Sequence, residues 1–263
     1  MPIPEARSLA VFCDFENIAL GVREAKYAQF DMDKVLERLL LKGSIVVKKA
    51  YCDWERYKEF KTAMHAASFE MIEIPHLRQS GKNSADIRMV VDALDLCYTK
   101  EHVDTFVIVS GDSDFSPLVS KLRENAKTVI GVGVKNSSSD LLINNCDEFI
   151  YYDDLVRQDE QKRRAAKKRR EAAPAGEEKS LDKKQEAFDV VLETLNALIA
   201  ERGAEEKIWG SMVKQALKRR KPGFNESYYG FRAFSDLLEE MQQKALIKLD
   251  PDEKSGGYLI RPA

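Results

Sequence analysis

The run Val107-Ile-Val-Ser-Gly-Asp-Ser-Asp-Phe-Ser-Pro-Leu118 constrains this chain more than any other stretch. Phe106 to Val109 is a short apolar, β-branched segment with the length of a buried strand. Ser110-Gly111 breaks it, carboxylates follow at Asp112 and Asp114, and Leu118, Val119 and Leu122 then recur at helical spacing. A strand that turns directly into a helix builds α/β architecture, where ligands gather at the C-terminal ends of the strands. Two acids this close repel each other unless something neutralises them, and a divalent cation with oxygen ligands does so. The competing reading is that Asp112 and Asp114 only cap the helix that follows.

The same device occurs earlier. Leu9-Ala-Val-Phe-Cys13 reads as a first strand and ends in Asp14-Phe-Glu-Asn-Ile18, so it too delivers a carboxylate at its C-terminal end. Asn17 can orient a water or cap a turn. Two strand-end acids weaken the capping explanation for either one. Between and beyond them, strands and helices alternate. Asp31 to Leu41 is an amphipathic helix, Ser44 to Tyr51 a strand, Glu55 to Ser68 a helix, and Phe69 to Ile74 a sheet-edge strand. The helix from Ser84 to Leu96 carries Asp86 in its first turn, where the helix dipole tolerates an acid. Asp92 lies about 240° further round that helix and is expected to pair locally with Arg88. Strands at 126–134 and 148–152 complete the series. Gly131 and Gly133 lie inside a strand and lack the helix context of a dinucleotide-binding loop. The expected fold is α/β, a mostly parallel sheet with helices on both faces.

Cys13, Cys52, Cys97 and Cys146 are scattered and form no Cys-x-x-Cys pair, which argues against a zinc site or a disulfide framework. The first residues lack a signal-peptide core, and no apolar run is long enough to span a bilayer. Cytoplasmic residence with no membrane partner is the expectation. The sequence says nothing of oligomeric state.

Asp14-Phe-Glu-Asn17, Lys82-Asn-Ser-Ala-Asp86 and Ser110-Gly-Asp-Ser-Asp-Phe115, in that order, resemble the NYN family of PIN-like nucleases, in particular its LabA-like branch. The resemblance covers roughly residues 8–155. It implies a PIN-like Rossmannoid ribonuclease fold that works with Mg²⁺ or Mn²⁺. It also implies an acidic cluster of Asp14, Asp86, Asp112 and Asp114, with Asn17 and Ser110 beside it. The chemistry agrees: carboxylate-held divalent ions supply both an activated water and stabilisation of negative charge on phosphorus. Arg78 and Lys82, in the polar loop before Asp86, are candidate RNA contacts. The alternative is a non-catalytic RNA-binding or adaptor protein that keeps the nuclease fold.

After Arg157 the composition shifts. Lys162-Arg-Arg-Ala-Ala-Lys-Lys-Arg-Arg170 holds seven basic residues and no acid. Residues 156–184 read as a basic linker, partly helical at its start, that attracts a polyphosphate. Helices follow at 186–202, 209–220 and 227–244, then a hairpin formed by 246–250 and 257–261. This is a small winged helix-turn-helix plan. The stretch Pro222-Gly-Phe-Asn-Glu-Ser-Tyr-Tyr-Gly-Phe-Arg-Ala-Phe-Ser-Asp-Leu-Leu238 resembles the OST-HTH, or LOTUS, domain, over about residues 185–261. That implies RNA binding, with G-rich or structured RNA as the partner. Lys214, Lys218, Arg219, Arg220, Tyr228 and Arg232 are the candidate contacts, while Phe231 and Phe234 are expected in the core.

Overall fold

The computed structural model describes residues 7–27, 30–74, 84–171, 179–203, 206–252 and 257–263, without the side chains of 162–163, 165–171 and 179–182. The chain forms two compact units, Met1–Glu171 and Ala172–Ala263.

The first unit runs β1 (Arg7–Asp14), α1 (Phe15–Glu24), α2 (Met32–Lys42), β2 (Gly43–Cys52), α3 (Lys61–Ala66), β3 (Glu70–Glu73), α4 (Ser84–Thr99), β4 (Thr105–Val109), α5 (Ser116–Glu124), β5 (Thr128–Gly133), α6 (Asp140–Asn145), β6 (Glu148–Tyr151) and α7 (Tyr152–Glu171). The six strands form one sheet in the order β3-β2-β1-β4-β5-β6. Every pairing is parallel, so the sheet is wholly rather than mostly parallel. Period-two alternation in β1 splits its side chains between two cores. Leu9, Val11 and Cys13 pack with residues of α1, α2 and α7. Ala10 and Phe12 pack with Met89 and Ala93 of α4 and Leu118 and Leu122 of α5. Covering both faces is what lets the central strands be almost continuously apolar.

Two helical readings change. Phe15 to Glu24 is a helix that the sequence reading passed over; its buried residues are Phe15, Ile18, Gly21 and Val22. Helix was expected from Glu55, but a turn and a short 3₁₀ segment precede α3. The reason is tertiary. Trp54 is buried, its backbone N–H donates to Glu73 Oε1 (3.0 Å), and its indole N–H donates to the Ile72 carbonyl (3.2 Å). These bonds to β3 hold the chain in the turn. Asp92 pairs with Arg88 Nε (3.0 Å) as expected, and also accepts from Lys49 and the Tyr51 hydroxyl. Burial raises its pKa, but the Tyr51 hydroxyl and Lys49 outweigh burial and hold it below the ordinary range.

The second unit comprises α8 (Lys179–Arg202), α9 (Gly210–Arg220), α10 (Phe234–Gln243) and the antiparallel hairpin β7 (Ile247–Asp252) and β8 (Gly257–Pro262). Trp209 bridges Leu259 beside that hairpin. Its third helix is shorter than expected. Residues Glu226–Tyr229 form a 3₁₀ turn capped by Asn225, whose side chain accepts from Ser227 N–H. Gly230 then takes φ of 87°, a left-handed conformation that ends the turn at little steric cost. Phe231 and Phe234 are buried beyond it. The stretch read as a linker starts as α7, in keeping with a partly helical start, and Asp159 of that helix pairs with Lys34 at 3.0 Å. Residues 172–178 lie outside the described residues.

Candidate active site

β1 and β4 are adjacent at the centre of the sheet, and the chain builds outward from them in opposite directions. Their C-terminal ends therefore flank the topological switch point, where doubly wound sheets leave a crevice. Asp14 closes β1 and is only 7% exposed. Its Oδ1 accepts from Asn17 N–H (3.3 Å), so it caps α1, and its Oδ2 accepts from the Ser110 hydroxyl (3.0 Å). Ser110 Oγ in turn accepts from Asp112 N–H (3.1 Å), and Asp112 Oδ1 accepts from Asp114 N–H (2.9 Å). Asn17 Oδ1 accepts from Gly111 N–H (2.8 Å), tying the start of α1 to the loop after β4. Capping and site-building are thus the same bonds. Gly111 is needed for close approach: a Cβ there would lie 2.5 Å from the Ser137 carbonyl oxygen.

Asp86 enters from the first turn of α4. Burial pushes its carboxyl up to about 6, helped by the charges of Asp112, Asp114 and Glu16. Burial likewise pushes Asp14 up to about 7; Asp86 and Asp112 add to the shift, and the bonds from Ser110 and Asn17 oppose it. The charges of Asp86 and Asp112 act on Asp14, and those of Asp112 and Asp114 act on Asp86, so these four acids share one electrostatic neighbourhood, with Asn17 and Ser110 fixing the geometry around Asp14. Glu16 belongs to that neighbourhood and was not selected from sequence, although it sits inside the Asp14–Asn17 motif. Arg56 Nη1 lies 3.3 Å from its Oε1.

Among the described residues, no three His, Cys, Asp or Glu side chains form a ready-made metal cage. That is compatible with Mg²⁺, which rests on one or two carboxylates, retained waters and substrate phosphates. The donors are all oxygens, and burial, followed by the charges of neighbouring carboxylates, raises the carboxyls of Asp14 and Asp86. The residues present fit a hard divalent cation.

These shifts set a stability expectation. Asp14 titrates near 4 when unfolded but at about 7 when folded. Between those values the folded state holds more protons, so metal-free stability falls as pH rises from about 4 to 7. Urea unfolding in chelator should give a first unit more stable at pH 5 than at pH 8 by about 2–4 kcal/mol through Asp14. Asp14→Asn should flatten that dependence; an unchanged slope would remove Asp14 as its source.

The residues selected as RNA contacts divide. Arg78 and Lys82 lie outside the described residues. Arg220 does not fit the role: its side chain is 5% exposed, and it bonds Glu193 (2.9 Å) and Thr194 (3.3 Å) of α8. It fastens α9 to α8. Arg220→Ala should destabilise the second unit by about 1–3 kcal/mol, measured by thermal unfolding; an unshifted transition would return Arg220 to the RNA-contact set. Lys214 bonds Glu226 (2.9 Å) and overlies the Phe234 ring, and Arg219 is half-buried. Lys218, Arg232 and Tyr228 face solvent. Lys183, absent from the sequence selection, places its ammonium 4.7 Å from the Tyr228 ring centre.

Residues 8–153 match the NYN domain family, more than half of the chain. The chain belongs to the NYN family. Residues 187–254 match the OST-HTH/LOTUS domain. The NYN unit has a PIN-like nuclease fold, and the OST-HTH domain implies RNA binding. An uncharacterised protein of Methanocaldococcus jannaschii is 30% identical over 125 residues, which are 48% of this chain and 49% of that protein. The chain thus spans about half the length of that curated relative. The crystal structure of a protein of unknown function from Vibrio parahaemolyticus is 27% identical, with a TM-score of 0.52, covering 59% of this chain and 98% of that one. All four cysteines are free thiols, and among the described residues no helix is long and apolar enough to cross a membrane.

Proposed function

We propose that this NYN protein is a divalent-metal-dependent endoribonuclease that hydrolyses RNA phosphodiester bonds, with its OST-HTH unit tethering the RNA. The supporting observation is the set of four aspartates gathered at the C-terminal ends of β1 and β4 and the start of α4, where Asp86 and Asp112 act on Asp14 and Asp112 and Asp114 act on Asp86. Burial, with neighbouring carboxylates adding to it, holds both Asp14 and Asp86 well above the usual carboxylate range. Asp14, Asp86, Asp112 and Asp114 would hold Mg²⁺ or Mn²⁺. When bound, the ion supplies a Lewis acid for the phosphate and lowers the pKa of water.

The chain's own residues prepare that site. Ser110 Oγ bridges Asp14 and the Asp112 backbone, and Asn17 pins Gly111, so the two strand-end acids cannot drift apart. Without a cation, protons on Asp14 and Asp86 reduce the repulsion. Cation binding must displace those protons, so cleavage at fixed, subsaturating Mg²⁺ should rise between pH 6 and 8. Rates measured across that range test this; a rate falling over the window would mean the site works protonated. G-rich or structured RNA is the proposed substrate class, and the cytoplasm the proposed compartment. A non-catalytic RNA-binding role is the second reading, and metal-dependent cleavage discriminates between the two.

A further inference from the structure

Next to the acid cluster, a shallow cavity of about 480 Å³ opens between the start of α5 and α6. Its volume lies within the range of small-molecule pockets. Asp114 forms one edge, continuous with the acids. Pro117 and Leu141 supply apolar surface, and Ser120 and Asn145 supply polar groups, with Ser120 Oγ also donating to the Ser116 carbonyl (3.1 Å) and Asn145 Nδ2 to the Leu141 carbonyl (2.7 Å). Two features set this cavity apart from an ordinary surface dimple. Leu141 is 57% exposed, an apolar side chain standing in solvent beside a charged site. Ser116 is 6% exposed, and its Oγ is buried without a hydrogen-bond partner. Buried hydroxyls are nearly always paired, and an unpaired one is a local source of instability.

Among the described residues, no lysine or arginine lines this cavity, and the lining they form does not suit a phosphate. An apolar wall with a few hydroxyls and an amide suits a flat, neutral, hydrogen-bonding group. On the nuclease reading, the next part of the substrate beyond the scissile phosphate is a nucleoside. We infer that the cavity lined by Ser116, Pro117, Ser120, Leu141 and Asn145 is a subsite for the nucleoside adjoining the phosphate at the acid cluster. Pro117 and Leu141 pack against the base, and Ser120 and Asn145 meet its polar edge or the ribose. This inference rests on the proposed nuclease activity and adds where the strand is gripped beside it. Such a grip acts on the substrate before and during reaction alike, so its loss raises KM more than it lowers kcat.

The test uses the full chain with the exposed Leu141→Ala, which leaves the acids untouched, and Ser120→Gln, which fills the cavity from an exposed position. Single-stranded ten-nucleotide RNA is the substrate, with Mn²⁺ present. The expected result is KM raised about tenfold in both variants, with kcat within about threefold of the parent. An unchanged KM in both, with the parent active, overturns the subsite and leaves the nuclease reading standing. A kcat loss with unchanged KM also overturns it. If the parent cuts no RNA, the nuclease reading fails by itself, and the cavity is probed separately. Adenosine and uridine 5′-monophosphates are titrated while the methyl resonances of Leu141 are followed by NMR. Saturable shifts, lost in Ser120→Gln, support a nucleoside site; no shift at millimolar nucleotide overturns it.

Discussion

Asp112→Asn should lower the rate of RNA cleavage by more than about 100-fold while leaving the protein folded. Loss of an outer-shell partner of a metal ligand typically costs 10–100-fold, so loss of a ligand charge should cost more. The substitution is nearly isosteric and keeps the Oδ1 acceptor that receives Asp114 N–H. The backbone bond from Asp112 N–H to Ser110 Oγ also survives. What disappears is one negative charge facing Asp86 and Asp14. Its removal relieves repulsion, so the metal-free variant should unfold at an equal or higher temperature than the parent. Single-turnover cleavage and a thermal melt, run on the same preparation, separate the two effects. Cleavage within a factor of a few of the parent would exclude Asp112 from the catalytic site.

The second large effect concerns affinity. An acidic crevice repels a polyanion, so binding must come mainly from cations elsewhere. Truncation after Glu171 should weaken RNA binding by orders of magnitude and flatten its salt dependence. That cut respects α7, whose Asp159 pairs with Lys34 of α2, and it leaves the six-stranded unit with both of its cores. Six phosphate contacts at the single-strand slope imply a loss of roughly two to three decades between 50 and 200 mM salt. The truncated protein keeps the seven basic residues of 162–170, so changing them to Gln in the full chain measures the separate contribution of α7. Filter binding across that salt range measures both. A truncated protein with undiminished affinity and the same slope would show that the second unit is not the RNA tether. It would then be better explained as a protein-interaction module.

Much of the first unit was legible in the sequence because its central strands, β1, β4 and β5, are buried on both faces. Runs such as Phe106 to Val109 announce themselves, and the acids that end them mark the crevice. The helix from Phe15 to Glu24 was less visible because the Asp14–Asn17 motif drew attention to chemistry. The very residue that builds the site also caps that helix. Tertiary bonds from Trp54 to β3 overrode local helical pattern before α3. Arg220 shows the opposite limit. A basic run at a helix end looks like a phosphate contact, yet only packing reveals that one member faces Glu193 and Thr194. The cavity beside Asp114 could not be read at all, since it joins residues from α5 and α6 that are more than twenty positions apart.

The most direct measurement is cleavage of labelled RNA by the purified two-domain chain after exhaustive chelation, with Mg²⁺ or Mn²⁺ then added back across a titration. Chelated protein should bind RNA without cutting it, and cleavage should appear with either ion and saturate. Asp112→Asn should stay silent throughout. RNA that is bound but never cut at any divalent ion concentration, or cut equally well in chelator, would contradict a metal-dependent nuclease.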